Sequence, residues 1–214
     1  MDRKFREGEN NLIFLKKFIY LISPNKIDKK FYINLDKVLS VGNSAFFQLR
    51  LKKTSKKKIK EISKKIRKIT IKHKVKLIIN DDFKLSLLVK ANGCHLGQLD
   101  GVISEARKSL KNRILGITCH NSKKIAKKML IYNPNYLAFG SFYRSRLKPK
   151  AVKANLSILR WAKKNIKKPV VAIGGINKKN YKKILKSGAK YIAISSYIWD
   201  NPNLKPEIAI KEFK

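Results

Sequence analysis

The stretch Pro169-Val170-Val171-Ala172-Ile173-Gly174-Gly175-Ile176-Asn177 decides the reading of the fold. Its apolar, β-branched first half, opened by a proline, reads as a buried parallel strand. Asn177 is placed to cap a helix that starts within Asn177-Lys178-Lys179-Asn180. A Gly-Gly pair between strand and helix lets the backbone approach a ligand closely. It also aims amide N–H groups outward, which suits an anion such as phosphate. The competing reading is a plain tight turn. The first reading gains weight because other strands along the chain also end in polar residues able to hold phosphate.

Working outward, short apolar runs recur at 18–23, 45–50, 75–80, 94–97, 114–119, 136–140, 169–173 and 191–196. Segments with helical spacing lie between them. In one of these, Ile59, Ile62, Ile66 and Ile69 recur on one face, with Thr54 placed to cap it. Another, from Asp28 to Leu39, buries Phe31, Leu35, Val38 and Leu39. Eight strands alternating with helices predict a (β/α)₈ TIM barrel, an α/β fold with a parallel eight-stranded sheet. The rival is an open doubly wound sheet. Regular units and the lack of a Gly-x-Gly-x-x-Gly run favour the barrel. Residues 1–16 read as an arm or short leading helix, and 17–214 as the single barrel domain.

The 214 residues include 52 Lys plus Arg against 13 Asp plus Glu, a net charge of +39. Such a balance raises a nucleic-acid or membrane partner. The lysines are scattered over nearly every predicted helix face, and no zinc-finger spacing or aromatic RNA-binding signature occurs. A solvated basic surface is the better reading, so neither a specific nucleic acid nor a membrane is expected. Cys94 and Cys119 stand alone in apolar runs and read as reduced core residues of a cytoplasmic protein. No apolar run reaches the ~18 residues that span a bilayer, and no cleavable signal opens the chain.

In a barrel all strands end at one rim, where active sites form. The predicted ends carry Gln48, Arg50 and Lys52, then Asn80 and Asp81, then Gln98 and Asp100, then Thr118. Ser145 and Lys148 follow in a longer basic loop, then Gly174 and Gly175, then Ser195 and Ser196. Two scarce acids on neighbouring strands, with bases around them, suit a hydrated Mg²⁺ shared with a phosphate. Each acid could instead be a helix cap. Arg50, Lys52 and Lys148 could each be surface charges, a weaker reading for Arg50, which the strand pattern puts at the rim. Taken together, a metal site, a basic clamp and a Gly-Gly plus Ser-Ser nest point to two phosphorylated small-molecule substrates, one of them a diphosphate.

At these residues the chain resembles the thiamine phosphate synthase and thiazole tautomerase family over roughly residues 18–200. The resemblance rests on Gln48-Leu-Arg-Leu-Lys52, Ile79-Asn-Asp81, His95-Leu-Gly-Gln-Leu-Asp100, Leu115-Gly-Ile-Thr-Cys-His120, the loop from Gly140 to Lys148, and Ala172-Ile-Gly-Gly-Ile176. It implies a Mg²⁺-dependent transferase that joins hydroxymethylpyrimidine diphosphate to thiazole phosphate and releases pyrophosphate. On that resemblance Asp81 and Asp100 would hold the metal. Gln48, Arg50, Lys52, Asn80, Thr118, Ser145 and Lys148 would surround the pyrimidine diphosphate, with Arg50, Lys148 and Thr118 as the catalytic set. Gly175, Ser195 and Ser196 would hold the thiazole phosphate.

The chain departs from the family pattern at three places. Leu147 stands where the family's loop has a second threonine, Arg144 where a proline is usual, and Leu51 where a glutamate is common. The tautomerase branch, a barrel without activity and a basic nucleic-acid-binding protein therefore stay open at this point. So does a homodimer.

Overall fold

Eight parallel strands close on themselves in chain order, each hydrogen-bonded to the next and the eighth to the first. The computed structural model describes residues 17–99, 101–144 and 153–214. The arm at 1–16, Asp100, and the loop residues Ser145 and Lys148 lie outside the described residues. The strands are β1 (Ile19–Ile22), β2 (Ser44–Leu49), β3 (Lys76–Asn80) and β4 (Gly93–Leu96). They continue with β5 (Ile114–His120), β6 (Tyr136–Gly140), β7 (Val170–Ile173) and β8 (Tyr191–Ile194). The closed order excludes the open doubly wound sheet.

Between them run α1 (Lys29–Ser40), α2 (Lys56–Lys72), α3 (Phe83–Leu88), α4 (Ile103–Leu110) and α5 (Lys123–Met129). Next come α6 (Leu156–Asn165), α7 (Tyr181–Lys186), α8 (Ser196–Trp199) and α9 (Pro206–Ala209). In α1, Asp28 accepts from the Phe31 amide at 2.7 Å, and the expected face of Phe31, Leu35, Val38 and Leu39 is buried. In α2 the cap is Ser55, one residue later than Thr54, and it accepts from Lys58 N at 3.3 Å.

Asn177 does not cap α7, which begins only at Tyr181. Instead its amide donates to Asn180 Oδ1 and its own Oδ1 accepts from Lys179 N, forming a turn. The eighth strand stops at Ile194, before the two serines. There the chain turns into α8, an element absent from the sequence reading. Trp199 ties α8 down by donating its indole N–H to Ile22 O at 2.6 Å.

Strand side chains alternate between two cores. Outward-facing residues such as Leu21, Phe47, Leu77, Leu115, Phe139 and Ala172 are buried against the helices. Cys94 and Cys119 belong to this layer as free thiols, and burial pushes the Cys119 thiol up to about 12. Inside the barrel, Tyr20, Phe46, Tyr136 and Tyr191 form an aromatic layer, with Tyr20 and Phe46 ring centres 5.2 Å apart. Two residues further along the same strands stand Ile22, Gln48, Ala138 and Ala193. Ile22, Gln48 and Ala193 of this level form the floor of a cavity at the rim.

Candidate active site

A cavity of about 820 Å³ opens at the C-terminal rim of the strands. β2 sends Gln48 into it from the barrel interior, and Arg50 follows just past the strand end. Arg50 is held from behind by Ser23. That buried hydroxyl accepts from Arg50 N at 2.9 Å and donates to Arg50 O at 3.3 Å. Ser23 also donates its amide to Gln48 O and accepts from Ser195 Oγ at its carbonyl. One small residue after β1 thus fastens the ends of β2 and β8 together. The sequence reading missed it, because a serine before a proline signals only a turn.

At the end of β3 the two acids separate. Asp82 caps α3, accepting from Leu85 N at 2.8 Å, and pairs with Lys56 at 2.8 Å. Burial raises its carboxyl, but the Lys56 and Leu85 bonds outweigh that and hold it below the usual range. Asp81 is therefore released from capping. It adopts a left-handed backbone (φ 65°), its amide donates to His95 O at 2.8 Å, and it lines the cavity. Lys52 Nζ lies 3.6 Å from its carboxylate. Asn80 lines the cavity beside it.

From β5, Thr118 faces the cavity, with its hydroxyl 2.8 Å from His95 Nε2 and its carbonyl accepting from Gln98 Nε2 at 2.6 Å. His95 and Gln98 belong to a run that the sequence singled out, yet neither was assigned a role of its own. Arg144, noted only as a departure, also lines the cavity.

Opposite, Gly174 (φ 108°) and Gly175 (φ 60°) turn the chain after β7. Both conformations are left-handed, which favours glycine. A side chain at Gly174 would run into Ser141, and one at Gly175 into the Arg144 carbonyl and Tyr143. The segment after β6 lies directly on the pair, with Phe142 N donating to Ile173 O and Tyr143 N to Gly174 O. The pair is therefore a tight turn and a cavity wall at once. Ser195 and Ser196 line the same end, but the Ser195 hydroxyl donates to Ser23 O at 3.1 Å. Lys178, also at this end, is bound to Glu212 at 2.6 Å. That bond, with one from Tyr197, holds the Glu212 carboxyl below its usual range.

Among the described residues no group of three His, Cys, Asp or Glu surrounds a point that could hold a metal. One carboxylate at a polar cavity wall, completed by water and substrate phosphate, is nevertheless an arrangement that Mg²⁺ accepts. Asp81 fits that role. Among the described residues no helix is long and apolar enough to cross a membrane.

The family model for thiamine monophosphate synthase matches residues 19–198. The chain is 52% identical to the thiamine-phosphate synthase of Pelagibacter ubique over 93% of this chain and 97% of that protein. It is 34% identical to the thiamine-phosphate synthase of Erythrobacter litoralis, covering 85% and 87%. Among solved structures, thiamine phosphate pyrophosphorylase from Pyrococcus furiosus superposes with a TM-score of 0.82 at 28% identity, over 92% of this chain and 94% of that one. A 3-hexulose-6-phosphate synthase at 14% identity and a TM-score of 0.66 shares the barrel alone. With the motifs of β2, β3, β4, β5 and β7 gathered on one rim of a closed barrel, this chain belongs to the thiamine monophosphate synthase family, the transferases of thiamine biosynthesis.

Proposed function

We propose that the cavity holds hydroxymethylpyrimidine diphosphate against β2–β5 and thiazole phosphate against β7 and β8, and joins them with release of pyrophosphate. The observation that carries this is the division of the rim. Arg50, Lys52, Asn80 and Asp81 gather at and just past the ends of two adjacent strands, while Gly174, Gly175 and Ser196 stand across the same cavity. A site for a single phosphate needs only one of these walls.

The C–O bond to pyrophosphate breaks, and negative charge grows on the departing oxygens. Arg50 would meet that charge with a planar fork of donors, and Lys52 with a point charge. Lys148 would join them from the loop outside the described residues. Charge stabilisation that strengthens as the bond breaks favours the transition state over the ground state and so lowers the activation barrier. Asp81 and Asp100 would hold a Mg²⁺, whose charge would supply further neutralisation of the leaving group. The thiazole nitrogen then captures the pyrimidine methylene cation, so the protein need supply no nucleophile. Gln48 and Thr118 orient the pyrimidine ring, and backbone amides of the Gly174-Gly175 turn and Ser196 hold the thiazole's phosphate.

The test is pyrophosphate release from the two purified substrates, with and without EDTA. Release that needs both substrates and a divalent ion is the expected result. A protein that releases none, yet isomerises a thiazole tautomer, would belong to the tautomerase branch.

A further inference from the structure

The last turn of the chain reaches back to the Gly174-Gly175 end of the cavity. Glu212, in the 3-10 turn Ile210–Glu212, extends its carboxylate to two loops at once. Its Oε1 accepts from Lys178 Nζ at 2.6 Å, on the loop after β7. Its Oε2 accepts from the Tyr197 hydroxyl, in α8 just past β8. Lys178 and Tyr197 both line the cavity, together with Gly174, Gly175 and Ser196, whereas Glu212 is not one of its lining residues.

Each arm of this bridge is braced. Asn180 steadies the loop of Lys178: its side-chain amide donates to Gly175 O at 3.0 Å, and its Oδ1 accepts from Asn177 N at 2.9 Å. Trp199 ties α8 to β1, as described above. Beyond Glu212, Phe213 is buried, with its ring centre 5.1 Å from that of Tyr181 and 5.5 Å from that of Tyr197. Buried Asn43 donates to Phe213 O at 3.1 Å. The Glu212 side chain is 24% exposed and the Lys178 side chain 50%. The carboxylate is therefore the fixed partner and the lysine the one being held.

The charge states suit the bridge. The bonds from Lys178 and Tyr197 keep the Glu212 carboxyl ionised at neutral pH. Burial and the bond to Glu212 push the Tyr197 phenol up, so it keeps its proton and donates. An ammonium carries three N–H groups, so one bond to Glu212 leaves two donors for another anion. A lysine that is already immobilised loses less side-chain freedom on binding than a free one. A carboxylate near a phosphate site repels the ligand. In a chain with 13 acids among 214 residues, one placed there needs a compensating use.

We propose that Lys178 binds the phosphate of the second substrate, and that Glu212, steadied by Tyr197, is the positioning residue that holds its ammonium at that wall. This inference rests on the thiazole half of the proposed function. It adds a cation to a wall of backbone amides and hydroxyls, and it gives the end of the chain a part in substrate binding.

The test is calorimetric titration of thiazole phosphate into the wild type, Lys178→Met, Glu212→Ala, Glu212→Gln and the double variant Lys178→Met/Glu212→Ala, at one salt concentration. Lys178→Met and Glu212→Ala should each raise Kd by about fivefold or more. Glu212→Gln keeps an oxygen for Lys178 and a polar partner for Tyr197, so its Kd should stay within about twofold of native or fall. The double variant should bind about as weakly as Lys178→Met alone, because Glu212 acts through that lysine. In turnover, KM for thiazole phosphate should follow Kd while kcat and the KM of the pyrimidine diphosphate hold.

The sign of the alanine effect is decisive. A carboxylate that only repelled the phosphate would make Glu212→Ala bind more tightly, and that result overturns the proposal. So do equal losses in Glu212→Gln and Glu212→Ala, or losses that multiply in the double variant. If Glu212→Ala does not fold, Tyr197→Phe frees one end of the carboxylate and should raise Kd to a lesser extent, and a native Kd there overturns the proposal. A wild type that binds no thiazole phosphate overturns the functional reading, and this inference with it. A wild type that binds, with variants that fail the pattern, overturns the inference alone.

Discussion

Lys52 Nζ stands 3.6 Å from Asp81 Oδ2, a reach from the loop after β2 to the first residue after β3. Both side chains are partly exposed, at 54% and 32%, so the pair adds at most about 1 kcal/mol to stability. Its consequence is local: a carboxylate and an ammonium meet at the wall where a diphosphate and its cation would bind. Asp82, one residue on, is occupied with Leu85 N and Lys56. Asp81→Asn should therefore lower Mg²⁺-dependent pyrophosphate release by roughly 10² or more, with little change in urea midpoint. Asp82→Ala should do the reverse, costing about 1 kcal/mol as a lost cap while turnover per folded molecule persists. Equal effects of the two variants on turnover would remove Asp81 from the metal site.

The barrel and most of the rim were legible in the sequence, because strand period and strand-end polarity are local signals. Arg50, Asn80, Asp81 and Thr118 follow directly from counting along apolar runs to their ends. The alternative reading of Asp81 as a helix cap could not be settled that way, and the structure gives the cap to Asp82, which accepts from Leu85 N, while Asp81 turns at φ 65°. Ser23 and Tyr136 were illegible for another reason. Ser23 acts by joining β1 to β2 and β8, and Tyr136 by meeting Tyr20 and His95 across the barrel. Those partners are distant in the chain, and no periodicity records them. α8 was missed because four residues are too few to show a helical period.

The surface charge bears on substrate capture. Arg50, Lys52 and Arg144 line the cavity of a chain carrying +39. A field of one sign around a cleft speeds the arrival of an anionic ligand, and salt screens it. The association rate constant of the pyrimidine diphosphate, followed by stopped flow, should fall by roughly tenfold or more from low salt to about 1 M, where the Debye length is ~3 Å. A flat salt profile would show that capture is governed by something other than this field.

Gly175 combines φ 60° with a neighbouring Arg144 carbonyl and Tyr143 Cβ at 2.7 Å from where a methyl would stand. Gly175→Ala should cost about 1–2 kcal/mol for the left-handed backbone alone, and more as the segment after β6 is pushed away. The unfolding free energy in urea measures the first effect. A raised KM for thiazole phosphate measures the second, because the same displacement opens the phosphate wall. A variant with native stability and native KM would show that the segment yields freely.

Acid should unfold the protein partly through Asp36. The His73 ring nitrogen, 2.7 Å away, and Lys72, at 3.0 Å, hold its carboxyl below the usual range. A lowered folded-state pKa gives stability that is present above the unfolded value of ~3.9 and is lost as pH falls through the folded value. The wild-type melting temperature should therefore drop as pH goes below about 4. Asp36→Asn should melt lower at neutral pH and show a shallower drop over that range. Parallel curves for the two proteins would mean that other carboxylates carry the transition.

Arg50 tests the proposed chemistry most directly, because its backbone and its side chain can be separated. Ser23 Oγ fixes the Arg50 backbone from both sides, at 2.9 Å to N and 3.3 Å to O. Arg50→Lys keeps that clasp and the positive charge but removes the planar fork. A point charge cannot make two parallel bonds to a leaving pyrophosphate. Pyrophosphate release should fall by roughly 10²–10³, the usual loss for one stabiliser of transition-state charge. Lys148→Ala should lower it to a similar extent. Ser23→Ala keeps both the fork and the charge and loses only the clasp, so its loss should be smaller and confined mainly to kcat, with KM nearly unchanged. The three variants measured together under single-turnover conditions separate the roles. A lysine at position 50 that works as well as arginine would show that charge alone suffices there, and that the fork has no part in the departure of pyrophosphate.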